Sequence, residues 1–240
     1  MDVAIFIPCF IDQFYPQTAF NMVKVLEKAG CTVQYNPEQT CCGQPAFNAG
    51  FWEEAKEVAQ KWHRDFSHNR TIVCPSASCV GFMRNNYKRL LGKAYTPQME
   101  RSMQERVWEL SSFLVDVLGV EDLGATLEAK VAYHDSCSAL RECKIKEAPR
   151  KLLSNVAGLE LQEINDGDVC CGFGGTFSVK YEAISVAMAE QKIDSVLAST
   201  DAEYLISTDL SCLMHLETYL KKQKKNLKTL HIADVLASGW

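Results

Sequence analysis

Short apolar runs alternate with amphipathic stretches along the chain, and the whole alternation occurs twice. Residues 3–8 form an apolar run that ends at Cys9. From 18 to 29, Phe20, Val23 and Leu26 recur at helical spacing, and Gly30 stops the helix. Residues 32–35 alternate as a short strand. Phe51, Trp52, Ala55, Val58, Ala59, Trp62 and Phe66 then mark one helix face, which assigns these aromatics to the core. Residues 71–74 form a further strand, leading to Ser78-Cys79 and another helix.

The second pass repeats that order. The run 130–136 ends at Cys137, and a helix opens at Pro149, a residue suited to a first turn, and stops near Gly158. A strand at 159–162, a helix from about 177 to 197 and a strand at 204–206 follow, then Ser211-Cys212 and another helix. ELSSFLVDVLG at 109–119 matches HIADVLASG at 231–239. The boundary falls near 122–128, giving one unit at 1–125 and another at 126–240. Strands alternating with helices predict an α/β fold. The repeat predicts two similar lobes, each a mainly parallel sheet flanked by helices, related by a pseudo-twofold.

The repeat also sorts the cysteines. Cys41-Cys42-Gly43 recurs as Cys170-Cys171-Gly172, and Cys9 and Cys137 precede the triplets at nearly matched distances. Cys79 and Cys212 follow them in the same manner. Four thiols gathered from separate strand ends are a soft-metal or iron–sulfur constellation, so these eight are the candidate metal ligands. Strand ends collect ligands in such folds, and helix N-termini favour thiolate over thiol. Cys31, Cys74 and Cys143 have no partner in the other half. Cys31 reads as a small buried hydrophobe, while Cys74 and Cys143 are candidates for a fifth ligand.

Gly43 and Gly172 suit positive φ directly after paired ligands. The extended Cys-Cys-Gly-Phe-Gly-Gly-Thr loop does not follow the dinucleotide-binding spacing. Its amides are instead suited to donate to cluster sulfurs. His134 and His215 flank the second motif as candidate ligands or proton carriers, with Asp135 and Asp209 nearby. The second motif is therefore the expected reactive centre.

Composition narrows the class. The chain has 240 residues, 47% apolar and 23% charged, with a net charge of −5, which favours neither nucleic acid nor an anionic membrane as partner. Lys221 to Lys228 is a basic stretch that reads as a solvated face. The N-terminus lacks a basic leader, and no run reaches membrane-spanning length, so a cytoplasmic protein without membrane insertion is expected. There thiols stay reduced. The eleven cysteines are odd in number and too sparse for a disulfide scaffold.

At these residues the chain resembles the Cys-Cys-Gly domain family of iron–sulfur proteins, which includes the B subunit of heterodisulfide reductase and the iron–sulfur subunit of glycolate oxidase. The resemblance covers essentially the whole chain, including CCGQPAFNAG at 41–50, LGVEDLGATL at 118–127, CCGFGGTFSVK at 170–180 and HIADVL at 231–236. It implies a [4Fe–4S] cluster on Cys9, Cys41, Cys42 and Cys79 and another on Cys137, Cys170, Cys171 and Cys212. It also implies an electron-transfer subunit of a multi-component system that oxidises L-lactate to pyruvate. The partners would be a larger ferredoxin-type iron–sulfur protein and a third protein of that lactate utilization system. In the heterodisulfide reductase relative each motif ends in CxxC and supports a non-cubane cluster. Here Val-Gly-Phe follows Cys79 and Leu-Met-His follows Cys212, so that cluster would need Cys74 or His215 as a substitute ligand. Some family members hold zinc in one motif. Two other classes compete: a structural or assembly protein holding zinc, against which the long ligand spacing argues, and a thiol–disulfide oxidoreductase using the vicinal cysteines. No flavin or nicotinamide fingerprint is present, so an oxidoreductase role would be that of a subunit.

Overall fold

The computed structural model describes residues 1–67 and 70–240. The first half carries a parallel sheet of β1 (Asp2–Ile5), β2 (Thr32–Tyr35), β3 (Thr71–Cys74) and β4 (Val107–Glu109), in the order β2-β1-β3-β4. The second carries β5 (Thr126–Tyr133), β6 (Ala157–Gln162), β7 (Tyr204–Ser207) and β8 (Lys228–His231), in the order β6-β5-β7-β8. Val3, Ile5, Ile72 and Val73 are buried because helices cover both faces of the inner strands. The α/β, two-lobed reading therefore holds.

Several boundaries differ from the sequence expectation. The first long helix is Pro16–Lys28, opened by Pro16 at its first position and preceded by the short helix Cys9–Phe14. The helix expected at 177–197 is two, Thr176–Lys180 and Glu182–Ser199, because Tyr181 leaves helical geometry at φ −130°, ψ 51°. The first lobe breaks at the same place, between Gln44–Ala49 and Trp52–Asp65, where Gly50 makes the break visible in sequence. The helix expected from Pro149 towards Gly158 is Glu147–Ser154. The expected core face is also narrower than its aromatics suggested. Ala55, Ala59, Trp62 and Phe66 are buried, but Phe51 and Trp52 are exposed at the helix start. Trp52 stacks on Phe47 and lies under Arg89 instead.

The lobes are joined by reciprocal packing. Helix Ile232–Leu236 of the second lobe packs on Pro16–Lys28 of the first, and the segment 110–117 of the first packs on Glu147–Ser154 of the second. Asp234 accepts hydrogen bonds from Thr18 Oγ1 and Asn21 Nδ2, both at 2.9 Å. One core runs across the junction, joining Val25, Leu26 and Phe113 to Tyr133, Leu153 and Leu236. A second core, built on Phe6, Trp62, Phe66, Phe82 and Tyr87, lies within the first lobe.

β4 and β8 each end in a residue that caps the next helix. His231 Nδ1 accepts from Ala233 N at 3.1 Å. Glu109 Oε2 accepts from Ser111 N at 2.9 Å and Ser112 N at 3.2 Å. Glu109 is fully buried, its Oε1 has no partner, and burial pushes its carboxyl from an ordinary 4.5 up to about 7. Between these values the folded chain holds a proton that the unfolded chain has released. Stability then falls as pH rises from 4.5 to 7, by about 3 kcal/mol for this group. Urea unfolding at pH 5 and pH 7.5 should show that fall in the native chain and lose it in Glu109→Gln. Equal pH dependence in both chains would contradict the assignment.

Candidate metal centre

The eight repeated cysteines sit beyond the carboxyl ends of the three leading strands of each lobe. Cys9 follows β1 and begins a short helix, Cys41 and Cys42 lie in the loop after β2, and Cys79 is in the first turn of Ala77–Leu91 after β3. Cys137, Cys170, Cys171 and Cys212 repeat these places after β5, β6 and β7. In this topology the crevice at the strand ends is where the chain direction reverses across the sheet.

The sulfurs meet. Cys9 and Cys41 Sγ are 3.6 Å apart, and Cys42 and Cys79 Sγ are 3.5 Å apart. In the second lobe Cys137 contacts Cys170, and Cys171 contacts Cys212. Each quartet has an outer and an inner half. Cys42 and Cys79 are 2% and 8% exposed, Cys171 and Cys212 are 2% and 7% exposed, and the other four are more accessible.

Crowding divides the protons among these thiols. Hydrogen bonds from Cys42 and then Cys9 hold Cys41 well below the usual thiol range. Cys9 is pushed up by its hydrogen bond to Cys41 and by burial. Cys42 is pushed up by its bonds to Cys41 and Cys79, while Cys79 is pulled down chiefly by Cys42. In the second lobe Cys170 is lowered by Cys137 and Cys171, which are themselves raised. Without a cation, ionising one thiol hinders its neighbour. A soft metal centre removes that conflict and suits four sulfur donors.

The backbone supports this arrangement. Gly43 N donates to Cys41 Sγ at 3.3 Å, and Gly172 N to Cys170 Sγ at 3.5 Å. Both glycines have positive φ, 90° and 91°. A Cβ on Gly43 would lie 3.2 Å from Ala55 O, and one on Gly172 would lie 2.6 Å from Ser185 O. Close approach and left-handed geometry thus both demand glycine after each cysteine pair.

All eight cysteines line one cavity of about 820 Å³ between the lobes. Phe10 and Phe173, each beside a motif, meet across it with ring centroids 6.5 Å apart. Asp209 clasps the floor. Its Oδ1 accepts from Ser76 Oγ and Ser78 N, both at 3.0 Å, and its Oδ2 accepts from Ser136 Oγ. A carboxylate of the second lobe therefore satisfies an amide at the start of the first lobe's cysteine-bearing helix.

The remaining candidates divide clearly. Cys31 is a buried core residue. Cys74 is fully buried behind Cys79, with its Sγ 3.7 Å from Ser76 O. Cys143 Sγ is engaged with Ala77 O of the first lobe at 3.4 Å. His215 Nε2 is held by Ser185, 3.2 Å from its Oγ and 3.3 Å from its carbonyl, and Ser185 Oγ donates to Gly172 O. It thus braces the glycine loop. Asp135 is occupied by a bidentate pair with Arg150 at 2.9 and 2.7 Å. His134 is fully buried, and one ring nitrogen lies within 4.8 Å of the Cys171 and Cys212 sulfurs. Burial, and then the charge of Lys192, pull its pKa down to about 3, leaving a neutral ring. Two features escaped the sequence reading: the reach of Asp209 into the other lobe, and Lys192, buried to 1% exposure with its Nζ on the Asp166 and Gly167 carbonyls. A lysine in an amphipathic helix gives no sign of burial, although its alignment with Trp62 would have flagged the position.

Fold and site define a two-lobed α/β protein with a duplicated four-thiol cluster whose donors suit a soft metal. The cysteine-rich domain family (CCG) matches residues 3–84 and 131–217, and the chain belongs to that family. It is 42% identical over 238 residues to Lactate utilization protein A of Geobacillus sp. (strain WCH70), covering 99% of this chain and 100% of the relative. It is 40% identical over 240 residues to Lactate utilization protein A 2 of Bacillus cereus (strain AH820), covering 100% and 99%. Among solved structures, a hypothetical protein from Helicobacter pylori aligns with a TM-score of 0.63 at 13% identity. That alignment covers 100% of this chain and 49% of the other, and shows a shared fold. Among the described residues, no helix is long and apolar enough to cross a membrane.

Removing the clasp tests its weight. Asp209→Ala leaves Ser76, Ser136 and the Ser78 amide without their acceptor, at a cost of about 3 kcal/mol. Urea unfolding should show that loss, with a smaller one for Ser136→Ala. A change within experimental error for Asp209→Ala would show that the lobes do not depend on it.

Proposed function

We propose that this chain is the iron–sulfur electron-transfer subunit of a multi-component system oxidising L-lactate to pyruvate. The observation that carries the reading is the pair of four-sulfur clusters facing one inter-lobe cavity. Its assignment to lactate follows its relatives, which are named lactate utilization proteins. Cys9, Cys41, Cys42 and Cys79 would hold one [4Fe–4S] cluster, and Cys137, Cys170, Cys171 and Cys212 a second. When bound, such a centre supplies a one-electron carrier.

The chain's own residues prepare the sites. Thiolates supply the ligands, and the Gly43 and Gly172 amides donate to the outer sulfurs, which eases the accumulation of negative charge. The inner cysteines are shielded from water while the outer ones face the cavity, as a carrier exchanging electrons with a partner requires. Phe14 and Val179 line the cavity and stand exposed at its rim, an apolar surface suited to a ferredoxin-type partner. A third protein of the system completes the proposed assembly. Free thiols at this density suit the reducing cytoplasm.

Purification without oxygen, followed by iron, sulfide and zinc analysis, tests the reading. Brown protein containing iron and sulfide is expected. Cys41→Ser and Cys170→Ser should each lose iron from its own lobe and leave the other loaded. Colourless protein with zinc alone, or no iron loss in either variant, would overturn the proposal.

A further inference from the structure

We propose that His134 is a metal ligand, so that the second site is a mixed thiolate–imidazole centre while the first is all thiolate. The inference rests on the second quartet binding metal and revises its donor set: four cysteines would already fill the four irons of a [4Fe–4S] cluster, so His134 takes the place of one outer thiol while Cys171 and Cys212 remain ligands.

The repeat supplies the comparison. Phe6 N donates to Val73 O at 2.9 Å as the chain leaves β1, and His134 N donates to Ile206 O at 2.8 Å as it leaves β5. The two residues hold the same place in their lobes. Phe6 is packed edge-on against Trp62 and Phe66, with ring centroids 6.1 and 5.7 Å away. Ala55 O faces Gly43 and Ser185 O faces Gly172, which aligns the long helices of the two lobes. Two turns further along, the first lobe has Trp62 and the second has Lys192. An aromatic pair behind the first site is thus replaced by two nitrogen-bearing side chains behind the second.

The imidazole makes no hydrogen bond of good geometry. His134 is 0% exposed, and the one carbonyl its ring approaches, that of Gly167, is already held by Lys192 Nζ. An unsatisfied buried polar group is costly, and native structures rarely keep one without a reason. His231 is the internal control. It is equally buried, yet its Nδ1 accepts from Ala233 N at 3.1 Å and its Nε2 faces Thr208 O at 3.1 Å. Lys192 cannot satisfy His134, because its Nζ is bound to the Asp166 and Gly167 carbonyls. What the ring does approach is the inner half of the second quartet, the Cys171 and Cys212 sulfurs. A metal held by those thiolates gives the ring nitrogen the partner that the protein withholds.

Cobalt(II) alone is the probe, since it reports directly bound nitrogen whatever centre the chain carries natively. The full chain, with its histidines labelled with ¹⁵N, is loaded without oxygen and examined by electron–nuclear double resonance. A coupling typical of a directly bound nitrogen is expected in the native chain and in His215→Phe, and it should vanish in His134→Phe. Phenylalanine is the residue the first lobe carries at this place, so the variant is sterically matched. Cobalt titration should show second-site affinity falling about 10–100-fold in His134→Phe, the range seen when a supporting group of a metal site is lost, with the first site unchanged. A native chain that binds cobalt at both sites without nitrogen coupling would overturn the inference, as would a coupling that survives His134→Phe. If cobalt shows the coupling while anaerobic protein lacks iron and sulfide, His134 stands as a ligand and only the iron–sulfur reading falls.

Discussion

Sulfur atoms held in contact cannot all carry charge unless a cation lies among them. Each lobe places four thiols in that position. Left to themselves, they divide into thiolates and reluctant thiols that share protons. The fold nevertheless holds them together by means that do not depend on one another. Three strand ends deliver the cysteines, and a glycine at positive φ lets the backbone close on the outer sulfur. A structure that invests so much in an arrangement unfavourable for bare thiols is organised around what the thiols bind.

The same constraint accounts for the junction. A metal centre at the carboxyl ends of one sheet could face solvent alone, but here both face one cavity. Packing of each lobe's terminal segment on the other lobe sets their orientation. Asp209 then ties the floor of one site to the other through Ser76, Ser78 and Ser136. A buried carboxylate with three donors tolerates little displacement. Movement of one site relative to the other would break that set, so the two sulfur quartets are held at a fixed spacing.

Much of this was legible in the chain. β2 and β3 occupy the residues expected for them, because short, buried or alternating strands write their period directly into sequence. The eight cysteines stood out because duplication repeats a spacing that packing alone would not preserve. What stayed hidden depends on contacts between distant residues. β4 and β8 went unread, since VWE and KTLH are too short and mixed to show a strand period, and the matched strings begin only at their last residues, Glu109 and His231. The break at Tyr181 carries no glycine or proline to announce it. Trp52 reads as core by helical spacing, yet the helix begins there, beyond the sheet's cover. Asp209 looked like a residue of the second motif, and only the assembled lobes show that it serves the first.

Duplication fixes the geometry of the two sites but leaves the residues one layer behind them free to diverge. Behind the first, Phe6 and Trp62 contribute bulk and no charge. Behind the second, a buried lysine lies near Cys171, and a buried imidazole lies at the inner sulfurs. The lysine offsets negative charge on the second quartet, whereas the imidazole, neutral at ordinary pH, offers a nitrogen donor without charge. Equal ligand spacing therefore does not make the two sites equivalent, because the residues behind the sulfurs give each quartet its own electrostatic surroundings.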